Sequence, residues 1–283
     1  MGRRALTPPQ QRSLILRTLA ALGSSQTVKE SAAGSAALGG VLAIAGDDHT
    51  CKSSSIPHQS DHAFISALMP MLYPSSVHEF LEMGLLGIAM SRFSGCWVGF
   101  KVISETVEIS SVVDLGQEAR SFVLPPDFQL PPGGLNLRWP DNGLGQRMAL
   151  AQERRVHTHK LDAARAFARA NRLDRVVLGG VDARLGVITT GKSWQDVIAA
   201  LDDLGIDDAR AQELGLRVYK VGMTWPLEPM GIRAFARGLQ DILVVEEKLS
   251  FIESQMKELF YNFEGMHFDD VNAGGRRPSI VGK

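Results

Sequence analysis

From Arg184 onward, apolar β-branched runs alternate with amphipathic stretches of helical period, and this alternation constrains the fold more than any other feature of the sequence. The pattern predicts strands over 185–190, 216–222 and 242–246, with helices over 194–204, 229–239 and 250–262. Strands separated by helices of this length need crossover connections, and right-handed crossovers give a parallel sheet covered by helices. Ligands of such sheets collect at the carboxyl ends of the strands. That rule nominates Thr189, Thr190, Gly191 and Lys192, then Met223 to Trp225, then Glu246 and Glu247.

The first of these ends lies within GVITTGKS, residues 186 to 193, which fits the phosphate-loop spacing of glycine, four residues and Gly-Lys-Ser. A phosphate loop needs a turn that aims backbone N–H groups at an anion. Val187, Ile188, Thr189 and Thr190 are all β-branched and favour extended backbone instead. The residues are therefore read as a buried strand running into a helix. Ser193 and Asp196 are the expected capping box, and Val197, Ile198, Leu201 and Leu204 the apolar stripe. Nucleotide hydrolysis stays as an alternative because Ile242 to Val245, followed by Glu246 and Glu247, has the look of a metal-binding strand.

The 283 residues suffice for two domains, and a formal charge of -1 gives no electrostatic reason to expect a nucleic-acid or membrane partner. Two cysteines, Cys51 and Cys96, are too few for a disulfide framework or a cysteine-ligated cluster, which points to a reducing, cytoplasmic setting. No apolar stretch reaches the length of a membrane span. The first 29 residues are basic without an acid and read either as a targeting peptide or, preferably, as a short helix opening at Thr7, Pro8 and Pro9.

Residues 23 to 40, rich in Gly, Ser and Ala, read as a flexible join. Val41 to Ala45 is a short buried strand that delivers the polar stretch DDHTCKSSS as a functional loop. Helices are expected over Asp61 to Leu72 and Ser76 to Arg92, the second with a Ser76/Glu79 capping box and a stop near Gly95. Cys96 to Ile103 returns as a strand. Residues 121 to 147 hold too many Pro and Gly for a regular element and form a linker, and Glu153 to Asn171 is a charged helix.

Several motifs together carry a resemblance. GDDHTCKSSS, HQSD at 58 to 61, SGCWVGFKVISETVE at 94 to 108, PPGGLNLRWPD at 131 to 141, RLGVITTGKSWQDVIAALDDLGID at 184 to 207, YKVGMTWPLEP at 219 to 229 and ILVVEEKLSFIESQMKELFYN at 242 to 262 follow one another in order. Over about residues 38 to 283 the chain resembles the 2-oxoacid:ferredoxin oxidoreductases of the fused indolepyruvate ferredoxin oxidoreductase type. The resemblance implies an α/β fold in four parts. These are a leader unlike the family at 1–37, part of a thiamine-diphosphate pyrimidine-binding-like domain at 38–120, the linker and helix at 121–183, and a truncated, parallel-sheet transketolase-C-terminal-like domain at 184–283. It also implies oxidative decarboxylation of a 2-oxoacid to an acyl-coenzyme A. Thiamine diphosphate and magnesium serve the intact enzyme, and iron-sulfur clusters and coenzyme A are handled by domains not found in this sequence.

In that family the GDDH loop lies near substrate, so Asp47, Asp48, His49, Lys52, Ser53, Ser54 and Gln59 are the candidate substrate-binding residues, and Thr189, Thr190, Gly191 and Lys192 the candidate cofactor-binding ones. His49 titrates near neutral pH and Lys52 suits a carboxylate. His58 and His62, spaced i and i+4, have no obvious third metal ligand, and Cys51 has no activating partner, so no metal site and no nucleophile are assigned.

The departures are equally specific. No residue maps to the glutamate that activates the aminopyrimidine, the Gly-Asp-Gly and paired-Asn signature of the diphosphate site is absent, and the sequence closes at PSIVGK. The expectation is a middle segment of a larger enzyme, inactive alone, with no cofactor bound tightly. Its expected partners are complementary domains or chains, ferredoxin in the intact system, and a second copy of itself. The competing expectation is a non-catalytic interaction module whose open edges are completed by a partner.

Overall fold

The computed structural model describes residues 39–113, 122–137, 145–261 and 277–283. The basic leader, and the linker residues outside 122–137 and from 145 on, lie outside the described residues.

Two sheets are present. In the first, β1 (Leu42–Asp47), β3 (Val98–Ile103) and β2 (Met71–Leu72) run parallel, and β7 (Met223–Trp225) adds antiparallel to β2, in the order β1-β3-β2-β7. The second has the order β4-β6-β5-β8-β9. Its strands β5 (Leu185–Thr190), β6 (Leu216–Val221), β8 (Asp241–Val245) and β9 (Ser279–Val281) are parallel, with β4 (Arg175–Leu178) antiparallel at the edge. The chain passes from one sheet to the other at Gly222, between β6 and β7. A Cβ there would stand 2.6 Å from the Leu173 carbonyl, so only glycine allows the crossing. Asp174 secures it, accepting the backbone N–H groups of Gly222 and Met223 at 2.8 and 2.9 Å.

The helices are α1 (Asp61–Ser66), α2 (Val77–Ser94), α3 (Ser104–Val107), α4 (Gly145–Arg155), α5 (Leu161–Ala170), α6 (Gly191–Asp203), α7 (Asp208–Leu214), α8 (Pro229–Ala236) and α9 (Ile252–Tyr261). One core joins the two sheets: Ala45, Phe64, Met69 and Met71 pack in a cluster with Ile188, Tyr219, Phe235, Ile252 and Met256. A second core sets Met83, Met90 and Phe100 against Ala164 and Phe167. Burying side chains of this size is worth roughly 1.5–3 kcal/mol each, so the shared core binds the sheets into one unit.

Several expectations need correction. The helix expected to reach Leu72 ends at Ser66, because Pro70 disfavours helical backbone at the residue before it; Leu68 turns left-handed (φ 56°), and Met71–Leu72 become the central β2. The capping box Ser193/Asp196 does not form. Helix α6 starts at Gly191 with Thr190 as N-cap, Ser193 is buried, and Asp196 pairs with Lys192 one turn back. Strand β4 and helix α7 were not expected, the latter despite Asp207, whose side chain accepts the Arg210 N–H. The helix expected from Glu153 begins at Gly145 and runs through a π turn over Val156–Lys160 into α5. Ser76 does cap α2, accepting the Glu79 N–H at 3.3 Å, and Gly95 closes it in left-handed backbone (φ 73°).

Candidate functional site

Strand β1 ends at Asp47, beside the carboxyl end of β3. The loop that follows folds back on itself. Asp48 accepts the backbone N–H groups of Lys52, Ser53 and Ser54 at 2.8, 2.8 and 2.7 Å, which holds its carboxyl far below the usual range even against its burial. Cys51 sits at φ 63° inside this ring and donates its thiol to the Ser54 carbonyl at 2.9 Å. His58 lies 3.0 Å from the Gly46 carbonyl, and Ser60 gives Asp47 both its N–H, at 3.0 Å, and its hydroxyl.

The loop is also clasped by the second sheet. Lys248 donates to the His49 carbonyl at 3.1 Å, and Gln59 accepts the Leu249 N–H at 3.1 Å. The two loops meet where the carboxyl ends of β1 and β8 approach.

At that meeting point charged side chains form a buried cluster. Lys101, from β3, stands 2.6 Å from Asp61 and 3.5 Å from Asp47, with its ammonium 4.8 Å above the Tyr73 ring. His49 lies between two carboxylates, with Nδ1 3.0 Å from Glu247 and Nε2 3.7 Å from Asp47. Neither ring nitrogen makes an in-line hydrogen bond to a protein acceptor, so these are ion-pair contacts. Burial works against the imidazolium, but Asp47 and Glu247 outweigh it and raise the His49 pKa. Burial likewise opposes the charge on Asp47 and Glu247. Both stay below the usual carboxylate range, Asp47 through His49 and then Lys101, Glu247 through His49 and then Tyr73. Asp47, His49 and Asp61 are close enough together to share a metal ion, but the Lys101 ammonium already supplies the compensating charge.

The predicted substrate-binding residues thus divide. Asp47 and His49 enter the cluster, Asp48 shapes the loop, and Gln59 ties it to the second sheet. Lys52 points outward, its side chain 56 % exposed and its ammonium 3.9 Å from Glu108, while the Ser53 and Ser54 N–H groups serve Asp48. His58 and His62 do not converge; the His62 ring packs edge-on against Phe251 at 5.6 Å. Cys96 is buried and its thiol pushed up to about 11.

The four residues nominated for cofactor binding lie at the end of β5. Thr190 donates its hydroxyl to the Val221 carbonyl at 2.8 Å, Lys192 pairs with Asp196, and Thr189 is buried with Oγ1 unpartnered among the described residues. Gly191 is packed against the Tyr73 ring, which stands where a Cβ would be. The first turn of α6 is therefore closed by an aromatic ring. Residues 186–190 lie flat in register with β6 and β8 rather than forming a phosphate loop. Of the other nominees, Met223 to Trp225 is a strand of the first sheet, and Glu246 caps α9, accepting the N–H groups of Phe251, Ile252 and Glu253 at 2.9, 2.7 and 3.2 Å. Only Glu247 reaches the cluster. Tyr73, Lys101 and Asp61 were missed by sequence reasoning. A lysine inside the apolar run VGFKVI was the available signal, because an unpaired charge there would be prohibitively costly.

The Indolepyruvate oxidoreductase domain family matches residues 175–269, from β4 through α9. Over 217 residues the chain is 27% identical to indolepyruvate oxidoreductase subunit IorA of Methanothermobacter thermautotrophicus, covering 77% of this chain and 32% of that protein. The chain is a relative of the indolepyruvate oxidoreductase subunits. The IorA of Pyrococcus abyssi is 27% identical over 228 residues, again 77% of this chain and 32% of the relative. The chain therefore spans about a third of the length of the curated proteins it matches. Among solved structures, a 2-oxoglutarate:ferredoxin oxidoreductase from Magnetococcus marinus, with 2-oxoglutarate, coenzyme A and succinyl-CoA bound, aligns over 93% of this chain and 48% of its own. The TM-score is 0.53 and the identity 13%, a likeness of fold. That fold is α/β, with two largely parallel sheets.

Proposed function

We propose that this chain is a structural and substrate-side part of a thiamine-diphosphate-dependent 2-oxoacid:ferredoxin oxidoreductase acting on indolepyruvate or a related arylpyruvate. The observation that carries the reading is the clasp of the β1 loop by the β8 loop, with His49 held between Asp47 and Glu247, in a chain related to IorA subunits over most of its length. The complete reaction converts a 2-oxoacid and coenzyme A to acyl-coenzyme A and carbon dioxide, with two electrons passed to ferredoxin. The division into residues 38–120 and 184–283, joined by 121–183, belongs to the same proposal.

When bound, thiamine diphosphate supplies the electrophile that accepts electrons as carbon dioxide leaves. Its diphosphate does not fit the residues described: Tyr73 closes the first turn of α6 and Asp196 engages Lys192. The diphosphate and magnesium therefore belong to complementary domains, and no step is assigned through them here. The chain's own contribution is positional. Asp48 fixes the loop, Lys248 and Gln59 hold it against the second sheet, and Asp47 and Glu247 on either side of His49 favour its protonated form, suited to a 2-oxoacid carboxylate.

Reconstitution with the complementary domains, assayed by reduction of a ferredoxin surrogate, tests this. Indolepyruvate should support turnover only when this chain is added, and His49→Gln should lower kcat by tenfold or more, roughly the scale of losing one positioned proton donor. No turnover with any arylpyruvate, or an H49Q protein as active as the parent, would sink the proposal.

A module completed by a partner is the second reading, and one observation favours it. Strand β1 is an edge among the described residues, and Ile44 on it and Leu81 and Leu85 on α2 are exposed at 60, 50 and 65%. Complementary domains of the same enzyme would cover such a surface in either case.

A further inference from the structure

Residues of α2, α6, β6 and the turn from α5 into β4 line a cavity of about 660 Å³, a size typical of small-molecule sites. Its lining includes an ion pair that joins β6 to α2. Lys220 of β6 meets Glu79 of α2 and donates to the Ser75 hydroxyl at 2.6 Å, with its ammonium 4.9 Å above the Trp194 ring. Glu79 also accepts the Ser75 N–H, at 2.8 Å, and Gln195 donates to the Ser75 carbonyl. The other carboxylate in the wall, Glu82, lies 3.8 Å from His78.

Three basic side chains, Lys220, Arg172 and Arg175, thus face two carboxylates, and both carboxylates have partners. Arg175 reaches only the Glu79 oxygen that Lys220 already engages, at 3.7 Å, and Arg172 makes no ion pair among the described residues. Arg172 is also held at φ 53°, a conformation costly for a side chain of its type. The two arginines are three residues apart, Arg172 on the turn after α5 and Arg175 opening β4, and both line the cavity.

We propose that this cavity binds a phosphomonoester, with Arg172 and Arg175 engaging the phosphate and Trp194 walling the body of the ligand. The chemistry follows from the groups. Planar guanidinium forks match phosphate oxygens two at a time, an excess of positive charge selects a dianion, and an aromatic wall accommodates a sugar or base. A sugar phosphate and a mononucleotide share the recognised group, and the cavity volume exceeds what free phosphate fills.

The full chain should be titrated calorimetrically with inorganic phosphate, ribose 5-phosphate and AMP, alongside thermal unfolding. Saturable binding of ribose 5-phosphate or AMP is expected, tighter than that of inorganic phosphate and weakened by salt. In R172A/R175A affinity should fall roughly tenfold or more, as for lost charge-assisted hydrogen bonds, with the unfolding temperature of the unliganded protein little changed. Should the double variant not fold, R172A alone gives the same reading, because Arg172 is exposed and carries no contact of the core. AMP binding without ribose 5-phosphate binding assigns the affinity to the base and overturns the phosphomonoester assignment. Absence of saturable binding by all three probes, or unchanged affinity in the variants, overturns the site.

Discussion

Tyr73 donates its hydroxyl to Glu247 Oε2 at 2.7 Å, joining residues 174 positions apart and the carboxyl ends of strands in different sheets. The same ring lies under Lys101 and against Gly191. Burial and then Glu247 push the phenol's ionisation far above its usual range, so the proton stays on tyrosine and the carboxylate remains an acceptor. Tyr73→Phe should therefore lower stability by about 1.5–3 kcal/mol, the range for a hydrogen bond to a charged group. Urea unfolding measures it, and a loss near zero would mean the contact contributes nothing.

The ion-paired His49 predicts a pH dependence. Its folded pKa is raised above the unfolded value of 6.5, so the stabilisation is fully present below pH 6.5 and is lost as pH rises through the folded pKa. Unfolding free energy should decline on the alkaline side of 6.5, and His49→Asn should flatten that decline. Observation by NMR of a His49 midpoint at or below 6.5 contradicts the assignment.

Asp174 should act over a different window. One oxygen holds the Gly222 and Met223 N–H groups, while Oδ2 is buried without a partner among the described residues, and burial pushes the carboxyl up to about 7. Between about pH 4 and 7 the unfolded chain has released this proton and the folded chain has not, so stability is complete below 4 and falls as pH rises to 7. Asp174→Asn keeps the acceptor without the charge and should stabilise the protein at pH 8 by on the order of 2–4 kcal/mol. Parallel stability curves for parent and variant between pH 4 and 8 would refute this.

Gly191 and Gly205 make a matched pair. Both have positive φ, 50° and 67°, but a Cβ at Gly191 would overlap the buried Tyr73 ring, whereas nothing lies within 4 Å of one at Gly205. Gly205→Ala should cost about 1–2 kcal/mol of backbone strain. Gly191→Ala should cost distinctly more and shift the Tyr73 ring, seen as a larger drop in thermal midpoint. Equal drops for the two would place the ring elsewhere.

Much of the second sheet was legible because β5 and β6 are buried on both faces, β8 is an apolar run after its first residue, and crossover helices lie between them. Strand β4 was not, since RVVL is short, half-buried and antiparallel at an edge, and β2 was hidden because two residues carry no period. Asp47 and His49, which the polar loop after β1 nominated, lie together in the buried cluster. The outward turn of Lys52 was not legible, because nothing local distinguishes a lysine that turns outward from one that turns in.

What the sequence determined by itself was the order of β1, α2 and β3 and of β5, β6 and β8 with their crossover helices, through the period of its apolar residues and the caps at Ser76 and Gly95. Only the tertiary structure decided that β7 leaves its neighbour β6 to join the other sheet, that Tyr73 rather than an anion covers the start of α6, and that Glu247 meets His49 while Glu246 caps a helix. The reason is physical. Periodicity records which face of an element is apolar, but a buried charge is stabilised only by partners brought from distant strands, and the sequence states the residue without stating the pairing.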